Sequence, residues 1–205
     1  MINHLAIIFF VFFISCSYAQ EKPKAAITQP IPIEQLTDYS TYSPTVKKLI
    51  DNALKLSKMN LTYLYGSADP KNKGMDCSGT IYYLLNESNV ENVPRDAEGM
   101  FDWVEKHGVL YHVTHQDFNS PEFSKLKPGD LLFWSGTYAT NHSISHVMLY
   151  LGKNKNGERL MFGASDGRTY KQKKMWGVSV FDFYLPKDKE KSRFVGYGCI
   201  PKLTC

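Results

Sequence analysis

Cys77 lies in the stretch Gly-Met-Asp-Cys-Ser-Gly, residues 74–79, and His146 opens the later run His-Val-Met-Leu-Tyr-Leu-Gly. A thiol and an imidazole are the two groups from which a cysteine nucleophile is built. The ring takes the proton and the sulfur attacks an acyl carbon. Asp76 and Ser78 add polar groups around the sulfur. Each residue alone also has an ordinary structural reading, since free cysteines are often buried and a histidine in an apolar strand is often a satisfied core residue. The elements that carry them decide how far the chemical reading goes.

A thiolate is favoured at the first turn of a helix, where free N–H groups and the helix dipole meet it. The sequence predicts such a helix from Asp76, with Cys77, Ile81, Leu84 and Leu85 on one inward face. On this basis Cys77 is expected to alkylate faster than an ordinary thiol near neutral pH. An earlier helix starts at Ser-Pro-Thr-Val, with Ser43 as cap, Pro44 at the first helical position and Val46, Leu49, Ile50, Ala53 and Leu54 in helical period. Between the two, Tyr63 to Met75 is rich in Gly, Pro and Asn and reads as a loop. A third helix, Asp96 to His107, stops at Gly108.

The period then changes. Lys127-Pro-Gly-Asp is a turn feeding the strand Leu-Leu-Phe-Trp. From His146 the side chains alternate, and both faces are apolar apart from His146 and the Tyr150 hydroxyl, which predicts a central strand. An Asn-Gly hairpin turn and three further strands follow. Helices first and an antiparallel meander after them give an α+β class.

The chain has 205 residues, 14% of them aromatic, and a formal charge of +4. That charge is too mild, and too scattered, for a nucleic-acid partner. The spacing offers no CxxC, no HExxH and no clustered histidines, so no metal or other cofactor is expected. His107, His112 and His115 read as surface residues, and His142 as a loop residue and a distant alternative base.

Residues 1–19 read as a signal peptide, an apolar run too short to span a bilayer comfortably. Ser-Tyr-Ala before Gln20 is a small-x-small cleavage site, and Phe-Ile-Ser-Cys ending at Cys16 is the competing lipoprotein signal. Membrane attachment is expected only through a lipidated Cys16, and both exits put the protein outside the cytoplasm, in the cell envelope. Residues 20–42 read as a linker and 43–205 as the catalytic domain. Past the signal, Cys77, Cys199 and Cys205 remain. Three thiols in an oxidising compartment leave one over. Cys199 and Cys205 are the natural pair, and Cys77 is the free thiol.

Five short segments also stand in an order that resembles the NlpC/P60 cysteine peptidases. They are Tyr-Leu-Tyr-Gly from Tyr63, Gly-Met-Asp-Cys-Ser-Gly, Val-Pro-Arg-Asp-Ala from Val93, Lys-Pro-Gly-Asp-Leu-Leu-Phe-Trp and His-Val-Met-Leu-Tyr-Leu-Gly. The likeness covers roughly residues 44–200. It implies a papain-like α+β fold. It implies hydrolysis of amide bonds in peptidoglycan stem peptides, typically between γ-D-glutamyl and a diamino acid. By position it implies Cys77 as nucleophile, His146 as base and Tyr63 beside the reacting carbonyl, where the phenol would help hold the oxyanion. The family's third polar residue, which orients the base, falls on Gly163, and glycine cannot orient a ring. Asp166 is the expected substitute, with Ser165 behind it; a plain turn role before Gly167 is the alternative for Asp166. Arg95 is expected to meet a substrate carboxylate or a neighbouring acid. Two other readings stay open: an amidase or acyltransferase on the same scaffold, and a catalytically silent wall-binding module.

Overall fold

The computed structural model describes residues 24–205. The signal-peptide and Cys16 readings therefore lie outside the described residues. In chain order the elements are α1 (Pro44–Ser57), β1 (Thr62–Tyr63), β2 (Gly74–Met75), α2 (Cys77–Glu87), α3 (Ala97–His107), β3 (Leu110–His112), β4 (Leu131–Ser135), β5 (His146–Lys153), β6 (Arg159–Ser165), β7 (Thr169–Tyr170), β8 (Lys173–Lys174), β9 (Gly177–Asp182) and β10 (Arg193–Gly198).

The helices start where their caps dictate. Ser43 accepts from Val46 N ahead of Pro44, Asp76 from Gly79 N, and Asp96 from Gly99 N. Each satisfies one of the free donors of a first turn. α1 buries Leu49, Ile50, Ala53 and Leu54, and α2 buries Cys77, Ile81, Leu84 and Leu85. These are the faces expected from the periodicity, with Val46 only partly buried against the core.

The main sheet has the order β3-β10-β4-β5-β6-β9, and every neighbouring pair is antiparallel. β5 lies inside it, buried from His146 to Gly152, as its two apolar faces required. The topology is not a plain meander, because β10 returns across the sheet to pair with β4 and β3. Nothing in β10's own residues distinguishes that partner from β9, since strand patterning sets faces and not neighbours. α2 packs against β5 and β6. Helix-on-sheet layering of this kind is the α+β architecture the pattern of elements implied.

The linker reading of residues 20–42 is corrected from residue 24 onward. This segment is a strap bound to the domain. Ile27 and Trp176 exchange backbone hydrogen bonds at 2.9 and 2.8 Å, and Gln29 N donates to Ser179 Oγ at 2.8 Å. Ile31 and Leu36 are buried. The strap covers the open side of β9, an edge strand with unpaired backbone groups. Its contacts come one residue at a time, so it has no period for sequence reading to find.

Cys199 and Cys205 are bonded, with Cα atoms 5.0 Å apart, and Cys77 is the free thiol among the described residues. The Lys127-Pro-Gly-Asp turn carries a further consequence. Asp130 is buried, accepts from Lys127 N through Oδ2, and leaves Oδ1 without a partner. Burial pushes its carboxyl up to about 7, against the pull of the Lys127 amide and charge. A raised folded pKa means the native state holds the proton more tightly, so stability falls as pH rises from about 4 to about 7. Asp130→Asn keeps the amide acceptor and removes the charge. It should be more stable than the wild type at pH 8, by up to about 4 kcal/mol, with the gap narrowing as pH falls and closing below about pH 4, in paired urea unfolding curves.

Candidate active site

The site is assembled around the start of α2. The short parallel pair β1–β2 sets Tyr63 abreast of Met75, just ahead of Cys77. The loop between them is tied down by Gly66 N donating to Asp76 Oδ2 at 2.8 Å and Asp76 N donating to Ser67 O at 3.0 Å. The chain passes so close here that a Cβ on Gly79 would run into the Ser67 carbonyl. Glycine is therefore required at that point of the first turn.

Asp76 organises this corner. Oδ1 accepts from Gly79 N at 2.6 Å and Ser78 Oγ at 3.3 Å. The Arg95 guanidinium grips both carboxylate oxygens, at 3.1 and 2.8 Å, and also reaches Ser78 Oγ at 2.9 Å. Arg95 thus meets the neighbouring acid, one of the two roles expected for it. The fork-to-carboxylate geometry is the strong form of this pairing.

α2 packs directly on β5, the strand that begins with His146. His146 pairs in register with Trp134 of β4. Cys77 and His146 are both 7% exposed, which decides their protonation. Burial pushes the Cys77 thiol up to about 11, reinforced by the Asp76 charge, and the amides of Val147, Ser78 and Cys77 only partly oppose this. Burial also holds the His146 ring well below its ordinary value, with the Arg168 charge adding to the effect. The expectation of a helix-stabilised thiolate is corrected: desolvation outweighs the helix N-terminus, and the resting pair is neutral thiol and neutral imidazole. Burial likewise raises the Tyr63 phenol, and the nearby carboxylates of Asp166 and Asp76 add to this, so it stays a hydrogen-bond donor.

The expected orienter is not in place. His146 Nε2 is buried and has no hydrogen-bond partner among the described residues, so neither Asp166 nor Ser165 accepts from it. Ser165 ends β6 with its Oγ accepting from Arg168 N at 3.2 Å, and the chain then turns outward, leaving Asp166 exposed. The space beside Gly163 is filled by Met148, whose Cγ would be 3.1 Å from a Cβ there.

Two cavities flank the pair. A smaller one of about 270 Å³ is lined by Cys77, Asp76, Ser78 and Arg95. A larger one of about 880 Å³ is lined by His146, Asp166 and Arg168. Tyr63, Tyr65 and Tyr138 line both, so the cavities meet at the tyrosines. His142 lies on the smaller lobe but is held by Glu98 at 2.6 Å and exposed. Among the described residues no cluster of His, Cys, Asp and Glu could hold a metal ion. Sequence reading missed Arg168 and the cleft-forming Tyr65. A lone arginine after an Asp-Gly turn carries no local signal; only the fold brings it to His146.

Over 150 residues the chain is 29% identical to a gamma-DL-glutamyl hydrolase of Bacillus subtilis, covering 67% of this chain and 32% of that protein. Over 100 residues it is 30% identical to the murein DD-endopeptidase MepH of Escherichia coli, covering 49% of this chain and 31% of that one. The chain thus spans about a third of the length of these curated relatives. A crystal structure of an NLP/P60 family protein, similar to lipoprotein, from Staphylococcus aureus superposes with a TM-score of 0.53 at 20% identity, over 78% of this chain and 43% of that one, which supports the fold. The family model for NlpC/P60 matches residues 60–179, more than half of the 205, and spans β1 to β9 with Tyr63, Cys77 and His146 inside it. The chain belongs to the NlpC/P60 family.

Proposed function

We propose that this chain hydrolyses an amide bond in peptidoglycan stem peptides, with Cys77 as nucleophile and His146 as base. The observation that carries the reading is a buried thiol at a capped helix start, against the strand that begins with a neutral imidazole, between two cavities. In the reaction, Cys77 Sγ bonds to the amide carbonyl carbon while its proton passes to His146. The imidazolium returns that proton to the departing amine as the C–N bond breaks, leaving a thioester. Water, losing a proton to His146, then cleaves the thioester and restores the thiol. The Tyr63 hydroxyl is a donor for the oxyanion, worth about 3 kcal/mol in such a role.

The bond is read as γ-D-glutamyl to diamino acid; the name of the Bacillus subtilis relative supports the γ-glutamyl half of this reading. The Escherichia coli relative's name favours a second reading, cleavage of a DD bond. Mass analysis of a digested muropeptide mixture separates them: a new N-terminal diamino acid supports the first, and a split crosslink the second. Intact muropeptides after prolonged digestion would leave the silent wall-binding reading in place. Export to the cell envelope belongs to the same proposal, with residues 1–19 as the signal. The Cys199–Cys205 bond fits an oxidising compartment.

The neutral resting pair gives a pH signature. His146 loses function as base only on protonation, and its pKa is held below 6.5. The acid limb of kcat/KM should therefore lie well below pH 6.5. With burial pushing the thiol up to about 11, the thiolate is a minor form at pH 7.5. Iodoacetamide should label it more slowly than free cysteine at that pH, and faster as pH rises. Rapid labelling at pH 7 would show that the sulfur is not held as a thiol.

Because Asp166 does not reach the ring, Asp166→Asn should leave kcat within about threefold of wild type in the muropeptide assay.

A further inference from the structure

Arg168 has no part in the chemistry above, yet it is held firmly in the larger lobe. Its N–H donates to Ser165 Oγ at 3.2 Å and its carbonyl accepts from Met175 N at 2.8 Å. Its guanidinium lies 4.2 Å from the centre of the Trp134 ring, and Trp134 is fully buried with His146 against its edge at 5.9 Å. Stacking on an aromatic face fixes the plane of the guanidinium and leaves its N–H fork free.

That fork is unused. Among the described residues the guanidinium donates to no acceptor and pairs with no carboxylate. Glu190, on the same lobe, has Oε1 accepting from Lys187 N at 3.2 Å, and Asp166 is exposed. The contrast with Arg95 is direct, since that guanidinium is committed to both oxygens of Asp76. Burial pulls the Arg168 guanidinium down to about 10, the sign of a cation short of compensation. A planar donor fork of this kind matches a carboxylate.

We infer that Arg168 is the recognition site for a free carboxylate of the substrate, bound in the larger lobe beside His146. The identity of that substrate rests on the hydrolase reading above. A stem peptide offers two such groups. A γ-linked glutamyl residue leaves its α-carboxylate free near the scissile carbonyl. A diaminopimelate residue carries a carboxylate at its far end, which lysine lacks.

The test uses synthetic L-Ala-γ-D-Glu-diaminopimelate peptides in three forms: both carboxylates free, the glutamyl α-carboxylate amidated, and the far diaminopimelate carboxylate amidated. Rates are compared at pH 8, where His146 is neutral with or without the Arg168 charge. One amidation should lower wild-type kcat/KM by about 10- to 100-fold, and that amidation names the carboxylate. Arg168→Gln should lower kcat/KM for the free form by a similar factor and erase the discrimination. Arg168→Lys should keep part of it. A wild type indifferent to both amidations would overturn the assignment, as would an Arg168→Gln protein that is slower but equally discriminating. Calorimetric binding of the same peptides to Cys77→Ala, with and without Arg168→Gln, separates this from the hydrolase reading. Arg168-dependent binding without cleavage by the wild type would keep the carboxylate site and sink the hydrolase. Cleavage without carboxylate preference would do the reverse.

Discussion

Cys77→Ala should abolish hydrolysis of stem peptides, with a loss of at least about 10⁴-fold in kcat, and His146→Ala should come close to it. The two losses should not add, because nucleophile and base act as one unit. Cys77→Ser should be as inactive as Cys77→Ala. A hydroxyl is a weaker nucleophile than a thiol and gives up its proton far less readily to the same ring. The fold should survive all three substitutions, since Cys77 sits at the rim of the core and its helix is capped by Asp76. Single-turnover digestion of a defined stem peptide, with circular dichroism as the control, measures this. Residual hydrolysis in Cys77→Ala above a hundredth of wild type would remove Cys77 from the chemistry.

Asp76→Ala should destabilise the protein by about 3–5 kcal/mol, and the reason is concentration of roles in one carboxylate. It caps α2, ties the loop through Gly66, and compensates Arg95. Removing it leaves Arg95 without its partner and two amides without their acceptor. Arg95 is 37% exposed, so water recovers part of its loss. The expectation therefore sits toward the lower figure. Asp76→Asn retains an amide oxygen for one N–H and forfeits the ion pair, so its cost should be about half as large. Urea unfolding gives both values. Activity should fall too, because the first turn that carries Cys77 is set by the same cap. A loss below about 1 kcal/mol in Asp76→Ala would show that Arg95 and the loop find other partners.

Much of the architecture was legible in local pattern. Ser43-Pro44 and Asp76 mark helix starts by the donors they satisfy, and the inward faces of α1 and α2 follow from a period of 3.6. The two-sided apolar run from His146 marked β5 as an inner strand. The odd thiol count singled out Cys77 and left Cys199 with Cys205. The order of five short segments pointed to the family that the family model matches.

What sequence could not carry was anything set by distance through space. The strap at residues 24–42 has no period because its partners are scattered along β9 and α1. β10 returns to β4 because strand partners are chosen by the whole sheet. The thiol at a helix start reads as a stabilised thiolate from local rules alone, yet burial under the sheet outweighs the helix and keeps the proton on sulfur. Asp166, next to a plausible orienting position in sequence, turns to solvent, whereas Arg168, two residues on, comes back over Trp134 beside His146. Local periodicity and capping depend on near neighbours, so the chain's own order determines which residues form the helices and strands and which of them can do chemistry. Desolvation and charge depend on what the folded sheet brings close, so only the tertiary structure decided the protonation of Cys77 and His146 and which cation stands beside them.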